Sequence, residues 1–106
     1  MSQSEILNRY LSAKNAGNPD GVAACFTDDA SVHDERNTHE GRAAIRAWSA
    51  DAIKRYRLQS TLVELAAKDN ILTAQIRVQG DFAGSPATLE HQFTLQDDLI
   101  RRLEIS

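Results

Sequence analysis

Three residues of this sequence combine a chemically useful side chain with a position where the surrounding pattern calls for apolar contact. Asp34 alternates with Val32 along a short extended run, so the two side chains share a face. If that face is the core, a carboxylate enters an apolar pocket. Burial there disfavours its charged form and makes it a better base near neutral pH. The other reading is a strand-end carboxylate in water, because Asp is almost never fully buried without a partner. Tyr10 lies one turn from Ile6 on an apolar helical stripe. Its phenol could serve as a core residue, or donate to a developing oxyanion. His91 is the one ionisable group among Leu89, Phe93 and Leu95, where it could donate as a neutral imidazole, relay a proton, or act as a satisfied core residue.

The remaining candidates carry less. His33, Asp34, Glu35, His39 and Glu40 crowd one segment, but no pair has the i, i+4 spacing of a helical zinc site, so no metal is expected. Gly41-Arg42 reads as a helix entry rather than an anion site. Cys25 has no activating neighbour and sits on an apolar helical face, as an inert thiol would. Trp48 serves as core or as pocket wall.

These side chains need elements to position them. Ile6, Leu7, Tyr10 and Leu11 form the stripe of a first helix that stops at Gly17. Asn18-Pro19 restarts a short second helix, carrying Val22, Ala23, Cys25 and Phe26 and ending near Asp28-Asp29. Residues 30–34 read as a short strand and 35–40 as a polar loop. Gly41 then opens a third helix with Ala44, Ile45, Trp48, Ala52 and Tyr56 on one face.

From Leu58 the period becomes two. Thr61, Val63 and Leu65 alternate before a turn at Lys68-Asp69-Asn70. Leu72, Ala74, Ile76 and Val78 alternate up to a connection at 80–86. Leu89, His91, Phe93 and Leu95 follow, then a turn at Asp97-Asp98 and a last strand from Leu99 to Ser106. The order α-α-β-α-β-β-β-β predicts an α+β fold: a curved antiparallel sheet, cone-shaped inside, covered by three helices from the N-terminal half.

Composition bounds the rest. A chain of 106 residues suits one domain over residues 1–106, and 42% hydrophobic with 25% charged side chains argues against disorder. A net charge of −3 offers no positive field for nucleic acid or an anionic membrane. No apolar stretch is long enough to span a bilayer, the first ten residues lack a signal-peptide pattern, and a lone cysteine permits no internal disulfide. A cytoplasmic protein is expected.

The run FTDDASVHD (Phe26 to Asp34), followed by Gly41-Arg42-Ala43-Ala44-Ile45 at a helix start, resembles the nuclear-transport-factor-2-like superfamily. That superfamily includes ketosteroid isomerases and SnoaL-like polyketide cyclases. The resemblance runs from Tyr10 to the last hairpin and implies a cystatin-like roll, a cone of helices on a strongly curved sheet. It also implies that Asp34 stands where those isomerases keep a general base, and Tyr10 where they keep an oxyanion-hole tyrosine. His91 takes the place of their second donor, a protonated aspartate, and there the match departs.

The expectation is therefore an enzyme acting on a small apolar molecule, with no cofactor. Asp34 would remove a proton next to a carbonyl, and Tyr10 with His91 would stabilise the enolate, leading to isomerisation or aldol-type cyclisation. Trp48, Phe26, Val32 and Phe93 would wall the pocket. The alternatives are a non-catalytic module binding a small hydrophobic ligand and a dimerisation domain. A homodimer is expected through the outer sheet face, where Gln75, Arg77 and Gln79 stand beside Thr88, Glu90, Gln92 and Thr94.

Overall fold

The computed structural model describes residues 3–106, with side chains from residue 5 onward. Helix α1 (Gln3–Asn15) buries the stripe Ile6, Leu7, Tyr10 and Leu11, as its spacing requires. Its end is locked to the sheet by one amide. Asn15 Nδ2 donates to the Ser60 carbonyl at 2.8 Å, and Asn15 Oδ1 accepts from the Ser60 N–H at 2.7 Å. The side chain thereby satisfies backbone groups as a neighbouring strand would.

Asn18 caps the next helix, its Oδ1 accepting from the Gly21 N–H at 3.0 Å, and Pro19 occupies the first helical turn. This helix, α2 (Pro19–Ala23), is shorter than the sequence suggests and does not reach Asp28-Asp29. Strand β1 begins at Phe26 instead and runs to Asp34. Ion pairs hold the two aspartates outside: Arg42 Nη1 meets Asp28 at 2.7 Å, and Arg101 Nε meets Asp29 at 3.6 Å. Arg42 Nε also donates to the Phe26 carbonyl at 2.9 Å. Asp28 of the acidic pair and Arg42 of the Gly-Arg thus bind each other, which fastens β1 to the following helix.

The segment expected as a polar loop contains a strand, β2 (Asn37–Glu40), paired antiparallel with β1 through a two-residue turn at Glu35-Arg36. Both turn residues have positive φ, 51° and 67°, as a tight hairpin demands. Gly41, at φ 86°, then redirects the chain into α3 (Arg42–Tyr56), a reversal that a Cβ would strain.

Strands β3 (Gln59–Lys68), β4 (Ile71–Gln79), β5 (Ala87–Gln96) and β6 (Leu99–Ile105) form the expected antiparallel meander. The sheet has six strands in the order β2-β1-β6-β5-β4-β3, curved and unclosed. The junction between β1 and β6 is parallel, so the sheet is not antiparallel throughout. In β3 the inward set is Ser60, Leu62 and Leu65 rather than Thr61, Val63 and Leu65. A bulge between Leu62 and Glu64 leaves Val63 60% exposed and restores the alternation one residue later.

The connection from β4 to β5 docks on the end of α3. The Asp81 N–H donates to the Tyr56 carbonyl at 2.7 Å, and Phe82 meets Tyr56 edge-on with ring centres 6.0 Å apart. A Cβ on Gly80 would lie 2.4 Å from that carbonyl oxygen, so only glycine permits the approach. One buried cluster joins the helices to the inner sheet face, with Tyr10, Phe26 and Phe93 its largest fully buried members. No helix among the described residues is long and apolar enough to cross a membrane.

Candidate active site

Between α1, α3 and the concave side of the sheet lies a cavity of about 270 Å³. Its apolar wall comes from Leu58, Val78, Phe82, Leu89 and Ile105, with Tyr56 at the loop contact just described. Four polar side chains open onto it from three regions of the chain: Lys14, Asp34, Glu35 and His91, with Trp48 among them.

Asp34 ends β1 on the same face as Val32 and stands half-buried at the cavity. Trp48 Nε1–H donates to its Oδ2 at 3.2 Å, leaving Oδ1 unclaimed by any described residue. Trp48 is 9% exposed, so its indole is held by packing and fixes the carboxylate in turn.

Lys14 is the residue that sequence reasoning missed. It continues the stripe of α1, one turn after Tyr10, and is only 5% exposed. Its ammonium donates to the Tyr10 hydroxyl at 3.0 Å and sits 4.7 Å from the centre of the Trp48 ring. The one indole therefore serves two opposite charges. Its N–H edge holds Asp34, and its electron-rich face receives Lys14. No carboxylate among the described residues forms an ion pair with Lys14. A lysine in a last helical turn reads as a complement to the helix dipole. The signal pointing elsewhere was its register, three and four residues beyond Leu11 and Tyr10.

His91 lines the cavity from β5 and is 3% exposed. Burial, reinforced by the charge of Lys14 and partly opposed by the Leu89 carbonyl, lowers its pKa to about 4. The ring is therefore neutral near pH 7. Its Nδ1 lies 3.2 Å from the Leu89 oxygen, which can only accept, so the proton resides on Nδ1. Nε2 is left as an acceptor, the reverse of the donor that the sequence suggests.

The other expected site residues lie elsewhere. Tyr10 is fully buried and does not line the cavity; it reaches it only through Lys14. Phe26 and Phe93 stand behind it, edge-on to its ring at 6.0 and 5.5 Å, and Val32 is sealed in the core. Of the four expected pocket walls, Trp48 alone faces the cavity. Alternation along strands exposes which face a residue shares, whereas depth behind that face depends on elements packed from afar.

The polar segment around the β1–β2 turn separates into two faces. His33 pairs with Thr38, its Nδ1 3.0 Å from Thr38 Oγ1 on the exposed side, while His39 lies opposite Val32 and against Trp48. Cys25 is fully buried with its Sγ 3.4 Å from the Gly21 carbonyl, and burial pushes the thiol pKa up. Arg42 is engaged by Asp28 and Phe26, as described above.

Comparison with known proteins adds a family. Residues 7–103 match the SnoaL-like domain. A Sinorhizobium meliloti protein assigned as a polyketide cyclase is 32% identical over the whole of both chains, with a TM-score of 0.93. The fold is shared with SalBIII, an epoxide hydrolase/cyclase-like enzyme in pyran ring formation of the polyether salinomycin. That similarity has a TM-score of 0.86 at 20% identity, covering 97% of this chain and 88% of the other. A Catenulispora acidiphila protein with a ketosteroid isomerase-like fold, solved with trimethylamine, gives 0.86 at 18% identity, covering 96% and 84%.

Proposed function

This chain belongs to the SnoaL-like domain family, within the nuclear-transport-factor-2-like superfamily, and on that premise we propose that it is an enzyme moving a proton next to a carbonyl on a small molecule. Asp34 is the general base. Its free Oδ1 takes a proton from the carbon beside the carbonyl, and the electron pair passes to the carbonyl oxygen as an enolate. That oxygen is oriented to the Lys14 ammonium, which supplies the electrostatic stabilisation that the family resemblance would give to Tyr10. Tyr10 is then a positioning residue, holding the ammonium from behind. His91 Nε2 accepts a hydrogen bond from a hydroxyl or amide of the substrate. Return of the proton to another carbon gives isomerisation; attack of the enolate on a second carbonyl gives aldol-type cyclisation.

The observation that carries this reading is a carboxylate and an ammonium presented to one apolar cavity, each held by the same indole and not ion-paired with each other. The volume, just under the roughly 300 Å³ at which drug-sized sites begin, suits a compact substrate.

Proton removal is measurable without knowing the product. In D₂O, small ketones and 1,3-dicarbonyl compounds incubated with the protein should exchange the hydrogens beside their carbonyls, followed by proton NMR. Asp34→Asn should slow that exchange by about 10²–10⁴-fold while ligand affinity changes by only a few fold. Retention of full exchange by Asp34→Asn would refute the assignment, and binding without any exchange would favour a non-catalytic ligand module.

A further inference from the structure

We infer that the cavity selects small, largely apolar carboxylic acids, with Lys14 as the residue that recognises the carboxylate. The inference rests on the reading of this cavity as the substrate site and names the class of molecule it takes. A transient enolate alone does not account for Lys14, because it is absent from the resting protein. Lys14 is 5% exposed as a residue in the resting protein and lines the cavity, and a buried charge is costly unless it is paired. What surrounds it here is a neutral phenol at 3.0 Å, an indole face at 4.7 Å and the cavity. Only one of its three N–H groups is taken by the Tyr10 oxygen.

The other charged groups at the cavity do not supply the missing partner. Asp34 is held by the indole N–H, and Glu35 follows it in the β1–β2 turn. Neither forms an ion pair with Lys14 among the described residues. The nearby imidazole of His91 presents Nε2 as a neutral acceptor and brings no negative charge. A counter-charge that stays for the whole residence of the ligand must arrive with the ligand. A carboxylate fits: it accepts one of the two remaining N–H groups in a charge-assisted contact and leaves the other for the enolate oxygen, while its apolar body covers Leu58, Val78 and Leu89. Asp34 and Glu35 repel the same group, so the opposite charges lining the cavity orient the molecule. The carboxylate goes to Lys14, and a carbon of the body goes to Asp34.

Trp48 is the single tryptophan of the chain and touches the proposed anion site, so its fluorescence reports occupancy directly. Hexanoate and hexanamide, matched in length and differing in charge, serve as probes. The wild-type protein should bind hexanoate roughly tenfold or more tightly than hexanamide. Lys14→Met, which replaces the buried charge with an apolar chain of similar reach, should bring that ratio close to one. The preference should persist in Asp34→Asn. Equal binding of the two probes by the wild type, absence of hexanoate binding, or survival of the preference in Lys14→Met overturns the inference. The comparison in the wild type needs no variant to fold. Hydrogen exchange without a carboxylate preference would remove this inference and leave the proton-transfer reading in place. The preference without exchange would do the opposite.

Discussion

His91 ties the site to the stability of the fold. An exposed histidine takes up a proton near pH 6.5, whereas the buried ring resists until about pH 4. Between those values the unfolded chain binds a proton that the folded chain refuses, so stability is full above the upper value and falls as the solution is acidified. The loss, complete below the lower value, amounts to about 3 kcal/mol. His91→Gln keeps a donor for the Leu89 carbonyl and removes the titration. Urea denaturation at about pH 7 and about pH 4.5 should therefore show a drop for the wild type that the variant lacks. Trp48→Phe tests the neighbouring contact: it retains an aromatic face for Lys14 and loses the N–H that holds Asp34. Hydrogen exchange at saturating substrate should slow roughly fivefold, with the substrate concentration for half-saturation little changed. Asp34 and His91 were legible as candidates because each broke a strict alternation. Lys14 was not, since a cation at a helix end has an ordinary explanation and its burial comes from Trp48, 34 positions along the chain.

Among the elements, long strands with apolar alternation were readable, and short or interrupted ones were not. Strand β2 is Asn-Thr-His-Glu, an edge strand with no apolar residue, and its hairpin lacks the Asn-Gly that would announce it. The bulge in β3 hid behind a valine that fits the alternation by type and leaves it by geometry. The same turn chemistry recurs between β5 and β6, where Asp97 and Asp98 pair Gln96 with Leu99 at φ 51° and 64°. Aspartate tolerates that region better than most side chains, but glycine at the second position is favoured. Asp98→Gly should stabilise the protein by about 1 kcal/mol. The check is a higher urea midpoint at unchanged slope, and the site lies on a turn absent from the cavity lining.

At the scale of the molecule, the α+β architecture followed from the order of periodicities, but the way the sheet closes ranks did not. Nothing local in residues 26–34 says that they pair with residues 99–105, and parallel neighbours need not be neighbours in sequence. The consequence can be tested by cutting the chain after Asp98. Such a protein loses Ile100 and Leu103, both fully buried, and leaves β1 and β5 without the strand between them. It should show no cooperative urea transition, whereas loss of a strand at either edge would leave one continuous sheet.

That placement of β6 also bears on how the protein comes into being. A ribosome makes β1 well before β6, so β1 stays unpaired on one side until residues 99–105 have emerged. Assembly then has to join strands far apart in sequence, Phe26 beside Ile100, inside the sheet, the kind of distant contact that slows folding. During that wait β1 depends on its short partner β2 and on the arginine clasp to α3, and those small features are where protection of the nascent chain would have to come from.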